Sequence, residues 1–93
     1  MFKTNTYFDN HVVSIAFNNK EGKATIGVMA PGDYTFGTNC VEIMTVISGE
    51  MLVRLKESED FVHYVAFDSF EVPANSSFQV SVKEDTSYKC IYL

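Results

Sequence analysis

Glu42 opens an apolar, β-branched run, EIMTVISG, which ends at Gly49. Alternate residues of a strand share a face, so Glu42 lies on the same face as Met44 and Val46. Both faces of this strand are apolar, so we expect it to be covered on both sides or nearly so, with Glu42 inside a barrel or at its mouth. A desolvated carboxylate there needs a hydrogen-bond donor or a cation. The alternative is a strand-end glutamate that accepts hydrogen bonds from loop amides.

Short apolar runs separated by turn residues lie on both sides of this strand and predict an all-β chain. The other expected strands are His11–Phe17, Ala24–Met29, Tyr34–Thr38, Met51–Lys56, Phe61–Phe67, Ser77–Val82 and Ser87–Leu93. The opening, Met1–Asn10, fits an edge strand or a short helical turn. Asp68–Val72 is expected to lead into a turn at Pro73, where Asn75 can take a left-handed backbone. About eight short strands indicate a sandwich, a jelly roll or a small barrel.

The length and net charge of the chain limit the number of domains and the kinds of binding partner. A chain of 93 residues predicts one domain, residues 1–93. Seven Lys and Arg against twelve Asp and Glu give a net charge of −5, with no basic face for nucleic acid or an anionic membrane. A small anionic ligand such as phosphate needs only one or two local donors and remains compatible with this charge.

Neither a signal stretch nor an apolar run long enough to span a membrane is visible, so a cytoplasmic location is expected. Cys40 and Cys90 have no metal-binding spacing and are predicted to be free thiols.

The pattern around Glu42 resembles the first motif of the cupin superfamily, in which an acidic residue is followed by six residues and a glycine. Pro73, Asn75 and Phe78 fit the second motif, a proline in a tight turn followed by a strand. The resemblance implies an all-β, single-domain, cupin-like (RmlC-like) jelly roll or β-barrel.

The metal ligands of cupins do not carry over. Their four positions fall on Phe36, Thr38, Glu42 and Phe78. One carboxylate with two phenylalanines and a threonine cannot coordinate a divalent metal. The chain's two histidines, His11 and His63, lie outside both motifs. We therefore expect neither a metal nor another cofactor, which argues against dioxygenase and metal-isomerase chemistry.

Longer runs resemble one family of small bacterial cupins, the pyrimidine/purine nucleoside phosphorylases. They are GDYTFGT at Gly32–Thr38, MTVISG at Met44–Gly49, VP at Val72–Pro73 and TSYKCIYL at Thr86–Leu93. The resemblance covers essentially the whole chain. It implies phosphorolysis of purine and pyrimidine ribonucleosides by inorganic phosphate, giving free base and ribose 1-phosphate, in a homodimer.

Three positions depart from the family pattern. Phe67 stands where a glycine usually begins the second motif, Asn75 lies in a glycine-or-histidine region, and Ile91 stands where an arginine can occur. If that arginine bound phosphate, this chain would need another donor. Arg54 is expected to face outward and the lysines to be solvated, so turn amides or a partner subunit are the remaining sources.

Phosphorolysis passes through an oxocarbenium-like state, so we expect Glu42 to be catalytic, by binding ribose hydroxyls or stabilising the positive charge that develops on the sugar. Aromatic side chains would stack on the base, a contact that every base permits. The substrate-binding residues expected are Tyr34, Phe36, Thr38, Phe78, Tyr88 and Tyr92. For the aromatics the alternative is ordinary core packing, and for Thr38 a hydrogen bond within the core.

Two other functions stay open at this level. One is a non-catalytic cupin that binds a small molecule through Glu42 and the aromatic residues. The other is a sugar or nucleotide isomerase with an unrecognised set of metal ligands.

Overall fold

Ten antiparallel strands form the regular structure of the chain, which the computed structural model describes from Met1 to Leu93. The strands are β1 (Thr4–Tyr7), β2 (Val12–Asn19), β3 (Gly22–Met29), β4 (Gly32–Gly37), β5 (Glu42–Ser48), β6 (Glu50–Leu55), β7 (Val62–Val65), β8 (Ser69–Val72), β9 (Ser77–Val82) and β10 (Thr86–Tyr92). One sheet has the order β1-β2-β3-β10-β5-β8 and the other the order β4-β9-β6-β7. The all-β prediction is confirmed. The chain has no helix of the length and hydropathy that crossing a membrane requires.

The strands differ from the sequence expectation in three places. β1 is an edge strand paired with β2, so the helical alternative for the opening is wrong. Ser69–Val72, expected only to lead into a turn, is strand β8 and pairs with the first half of β5. The strand expected over Phe61–Phe67 is shorter, Val62–Val65, because the backbone turns at Phe67.

The core lies between the two sheets and is built by strand alternation. β5 contributes Met44 and Val46, and β9 contributes alternate residues beginning at Phe78. The fourteen residues of the buried cluster are Val12, Met29, Tyr34, Met44, Val46, Met51, Val53, Phe70, Val72, Phe78, Val80, Val82, Tyr88 and Cys90. On the opposite face of β5, Ile43 and Thr45 are partly buried and Ile47 is 38% exposed, so the expected cover on both faces extends over only the first part of the strand.

The outer faces of the two sheets have different chemistry. On the six-stranded sheet, Ile15 pairs with Ile26 and Val13 with Val28, and Ile15, Ile26 and Val28 are exposed. We call this surface the apolar outer face. The outer face of the four-stranded sheet instead carries mainly polar residues, namely Asp33, Thr35, Gln79 and Ser81, with Leu52 beside Ser81.

Gly49, Asn75 and Phe67 form turns in which the backbone is left-handed. Gly49, between β5 and β6, has φ 92°, and a Cβ there would lie 2.5 Å from Thr86 Oγ1. Glycine is therefore required by both backbone and space. Asn75 has φ 55°, so its predicted left-handed conformation is confirmed. Phe67 also lies in this region, with φ 73°, and its side chain is 79% exposed.

Phe67→Gly is expected to stabilise the protein. A left-handed backbone costs a side-chain-bearing residue about 1–2 kcal/mol, and glycine gives back roughly 0.5–1 kcal/mol through the entropy of the unfolded chain, so the free energy of unfolding should rise by about 0.5–1 kcal/mol. Urea denaturation measures this change. Phe61→Gly is the control, since Phe61 is also exposed but has no positive φ; it should lower stability. A destabilised Phe67→Gly variant would contradict the account.

Candidate active site

A cavity of about 330 Å³ lies between the two sheets. Its wall combines one carboxylate, several aromatic rings and a thiol. The lining residues are Tyr7, Phe8, Ser14, Met29, Thr35, Phe36, Gly37, Glu42, Met44, Phe78, Tyr88, Cys90 and Tyr92. The volume falls at the lower end of the roughly 300–1,000 Å³ that is usual for small-molecule sites.

Glu42 is the only residue with a formal charge in this lining. It is the first residue of β5, between Val72 of β8 and Tyr92 of β10, and it is partly buried. The Cys90 thiol donates a hydrogen bond to its Oε1, with the sulfur 3.4 Å away. Burial raises the pKa of Glu42, and the hydrogen bond from Cys90 partly opposes this rise. We expected a desolvated Glu42 to need a nearby hydrogen-bond donor, and the Cys90 thiol is that donor.

Strand β10 supplies three ionisable groups to the same wall, and each holds its proton at neutral pH. Burial raises the pKa of Tyr88 to about 12. Burial also raises the pKa of Cys90 and of Tyr92. The Tyr92 hydroxyl lies 3.1 Å from Thr25 Oγ1. The carboxylate is therefore surrounded by neutral groups that can donate hydrogen bonds.

The Tyr88 ring occupies space that is open because Gly27 has no side chain. Tyr88 lies opposite Gly27 across the pair of β10 and β3. A Cβ on Gly27 would lie 2.5 Å from the Tyr88 Cζ and hydroxyl oxygen. The ring therefore lies directly over the glycine, and the lack of a side chain there gives it room.

An aromatic wall faces these groups from the four-stranded sheet. The Phe36 and Phe78 rings are stacked, with centroids 5.4 Å apart and planes 28° from parallel. The edge of Phe8, which follows β1, meets Phe36 at 5.6 Å and 89°. A flat apolar ligand group can pack against such a surface.

Of the seven residues that the sequence predicted for the site, five line the cavity together: Glu42, Phe36, Phe78, Tyr88 and Tyr92. Tyr34 does not; its hydroxyl donates to the Ala30 carbonyl oxygen at 2.6 Å, and its ring packs behind the wall against Phe8. Thr38 does not either; it donates to the Pro73 carbonyl oxygen at 2.7 Å and accepts a hydrogen bond from the Ser76 amide at 3.0 Å. The alternative of a hydrogen-bonded structural threonine describes Thr38.

Sequence reasoning missed several lining residues. Tyr7 and Phe8 come from the opening segment, whose sequence has no clear period, and they reach the cavity only because β1 pairs with β2. The sequence did indicate the position of Cys90, because it alternates with Tyr88 and Tyr92 on one face of β10. Its bond to Glu42 joins residues 48 positions apart and has no local signature.

The cavity does not fit the metal that many cupins hold. The ligand positions carry two phenyl rings and a threonine that is bonded to loop backbone. No three His, Cys, Asp or Glu side chains cluster as a metal site would need. His11 contacts the Phe8 carbonyl oxygen, and His63 lies beside Glu50 on the four-stranded sheet. The only carboxylate in the lining has a thiol for its neighbour, and this set does not coordinate a hard divalent cation.

The fold is that of a cupin. A cupin superfamily protein from Desulfitobacterium hafniense has the same fold, with a TM-score of 0.72 at 14% identity over 96% of this chain and 84% of that chain. The crystal structure of a protein of unknown function from Vibrio parahaemolyticus is more similar, with a TM-score of 0.96 and 43% identity over 100% and 99% of the two chains. The predicted cupin-like fold is confirmed.

Sequence similarity identifies the family. The family model described as pyrimidine/purine nucleoside phosphorylase matches residues 2–92. A protein of that name from Pseudomonas fluorescens is 58% identical over 92 residues, which are 99% of this chain and 98% of the relative. The chain belongs to the pyrimidine/purine nucleoside phosphorylase family, and the resemblance stated from the sequence is confirmed.

Removing the thiol donor should raise the pKa of Glu42 further. In the wild type, a ¹³C NMR titration of the Glu42 carboxyl carbon should give a midpoint above the ordinary 4.5 of a glutamate. Cys90→Ala should move it higher, because the carboxylate loses a hydrogen bond that favours its charged form. Cys90→Ser, which keeps a donor, should stay at or below the wild-type midpoint. Equal midpoints in Cys90→Ala and the wild type would show that the thiol does not act on Glu42.

Proposed function

We propose that the protein is a broad-specificity nucleoside phosphorylase that converts purine and pyrimidine nucleosides and inorganic phosphate to free base and ribose 1-phosphate. The observation that carries the proposal is the pairing of family membership along the whole chain with one cavity that sets a carboxylate opposite an aromatic wall. No metal and no organic cofactor takes part in the proposed reaction.

The proposed reaction is favoured by a negative charge near the ribose. A phosphate oxygen forms a bond to ribose C1′ while the C1′–N bond to the base breaks, and the electron pair of that bond leaves with the base nitrogen. The proton that the base takes up balances the one lost by hydrogen phosphate. Positive charge develops on the ribose ring in the transition state, and the Glu42 carboxylate stabilises it more strongly in a cavity than in water.

The aromatic wall accounts for breadth toward the base. Phe36 and Phe78 present ring faces and no hydrogen-bonding edge, and every nucleobase has a π-face on which such rings stack. Tyr88 and Tyr92 carry protonated hydroxyls on the opposite wall, so each can donate one hydrogen bond to a substrate oxygen. Glu42 is the proposed catalytic residue, and these four aromatic residues bind substrate. Tyr34 and Thr38 act from behind this set, by holding the wall and the loops in place.

Glu42→Gln should lower phosphate-dependent base release by roughly 10²–10³-fold, the usual scale for removing one transition-state electrostatic contact. The assay follows free base from a panel of purine and pyrimidine nucleosides, with and without phosphate, on chelator-treated protein. Glu71→Gln is the control, since Glu71 lies on β8 away from the cavity and should leave the rate unchanged.

Two outcomes would favour the rival functions. Tight nucleoside binding that is indifferent to phosphate, with no base released, would indicate a binding cupin. Activity that is lost on chelation and restored by a divalent metal would indicate the isomerase class.

We also propose that the protein is a homodimer joined through the apolar outer face. The six strands contain four to eight residues each and lie about 4.8 Å apart, so the face covers roughly 600 Å², somewhat less than the scale of about 800 Å² per partner in a stable interface. Lys89 on this face is compensated by Glu21, with which it forms an ion pair at 2.8 Å, and Glu71 is an acidic residue at the β8 edge of the face. A second copy fits this face because two chains of net charge −5 can meet there without bringing their acidic surfaces together.

The cytoplasm is the proposed location, since its reducing conditions suit the free thiols of Cys40 and Cys90.

Ile26→Lys should convert the dimer to a monomer, because Ile26 lies between Ile15 and Lys89 in the middle of the apolar outer face. Sedimentation at micromolar concentration measures the change, and circular dichroism confirms that the fold is kept. Leu52→Lys, on the outer face of the other sheet, is the matched control and should remain dimeric. A monomeric wild type, or a dimeric Ile26→Lys variant, would contradict this interface.

A further inference from the structure

The cavity lacks a partner for phosphate. None of its thirteen lining residues is a lysine or an arginine, and its one formal charge is the negative charge of Glu42. A phosphate dianion placed beside this carboxylate would be repelled unless a cation or several donors compensated it. A cation for the anion therefore has to come from just outside the lining.

The strand register places one lysine at the rim. Glu42 pairs with Tyr92, Tyr92 with Lys23, and Lys23 with Asn18, so one row crosses four strands. Directly opposed residues of antiparallel strands project from the same face, with Cβ atoms about 5 Å apart. Tyr92 and Glu42 both line the cavity, so Lys23 shares their side of the sheet.

Alternation along β3 gives the same orientation independently. Met29 lines the cavity, Gly27 lies under the Tyr88 ring, and Thr25 contacts the Tyr92 hydroxyl. Lys23 is the next residue of this inward series. Met29 and Thr25 are buried whereas Lys23 is exposed, which places the lysine where the inner surface reaches solvent.

Two other cations on the sheets, Lys89 and Arg54, are directed elsewhere. Lys89 alternates with the inward Tyr88 and Cys90 and pairs with Glu21 on the outer side. Arg54 donates to Gln79 Oε1 on the outer side of the four-stranded sheet. Lys23 takes part in neither of the two ion pairs of the chain, so its ammonium group is available to a ligand.

We propose that Lys23 binds the phosphate co-substrate at the rim of the cavity, with the Tyr92 hydroxyl as a second donor. This inference rests on the proposed function and deepens it. Two strand spacings, about 10 Å, separate the backbones of Glu42 and Lys23. A ribose between them has the carboxylate on one side and the phosphate on the other. Tyr92 can accept from Thr25 and donate to phosphate, because its hydroxyl keeps its proton.

Kinetics of single variants test the assignment. Lys23→Ala should raise KM for phosphate by roughly 10–100-fold, the scale of one charge-assisted hydrogen bond, and change KM for the nucleoside by less than about twofold. Lys23→Arg should restore most of the affinity for phosphate. Lys20→Ala, in the turn of the same hairpin, is the control and should match the wild type. An unchanged KM for phosphate in Lys23→Ala would overturn the inference.

A binding measurement separates this inference from the proposed reaction. Inorganic phosphate is titrated into the wild type, Lys23→Ala and Lys20→Ala and followed by ³¹P NMR without nucleoside. Weaker binding in Lys23→Ala alone supports the rim site, even if the wild type releases no base and the phosphorylase proposal fails. Equal binding to all three proteins, or no binding to any of them, overturns the rim site, even if the wild type is an active phosphorylase.

Discussion

The backbone hydrogen bonds that β10 forms with β3 on one side and β5 on the other determine which side chains meet in the cavity. Seven residues of β10 are paired with β3 and six with β5. Because side chains alternate along a strand, a shift of one residue would turn Tyr88, Cys90 and Tyr92 outward and bring Lys89 and Ile91 inside. The wall of the cavity, the donor to Glu42 and the row that contains Lys23 all depend on this register.

The electrostatics of the cavity follow from that arrangement. Burial keeps the thiol and both tyrosines of β10 protonated, so Glu42 is the single charge among neutral donors. The raised pKa of Glu42 means that the folded protein holds this proton more tightly than the unfolded chain does. Ionisation of Glu42 therefore costs stability, and the cost grows as the pH rises through the raised pKa. In the proposed reaction, the carboxylate of Glu42 is partly desolvated and lies where positive charge develops on the ribose.

Alternation and turn chemistry made much of the fold predictable. The central strand, the glycine that ends it and the left-handed Asn75 depend on local preferences. Five of the seven predicted site residues also came from alternation combined with the family pattern. Tyr34 and Thr38 were misplaced because the partners of their hydroxyls, Ala30, Pro73 and Ser76, are set by loop geometry. Strand β8 was missed because its alternation spans only four residues directly before a proline, and it exists because β5 offers a free edge.

The inward orientation of Lys23 could not be read from its neighbours in the sequence, where it looks like any lysine beside a hairpin turn. It follows only from the pairing of β3 with β10, two strands far apart in the chain. The exposure of the apolar outer face was also unpredictable, since alternating apolar residues such as Val13 and Ile15 suggest a buried face.

The hydrogen bond between Cys90 and Glu42 has a consequence for chemical durability. Electrophiles and oxidants attack the thiolate form of cysteine. The adjacent carboxylate and the buried setting of Cys90 both disfavour that form. The Cys90 thiol therefore stays in an unreactive state in the cavity. Under oxidative stress it would keep its hydrogen bond to Glu42, whereas an exposed, ionised cysteine would be oxidised.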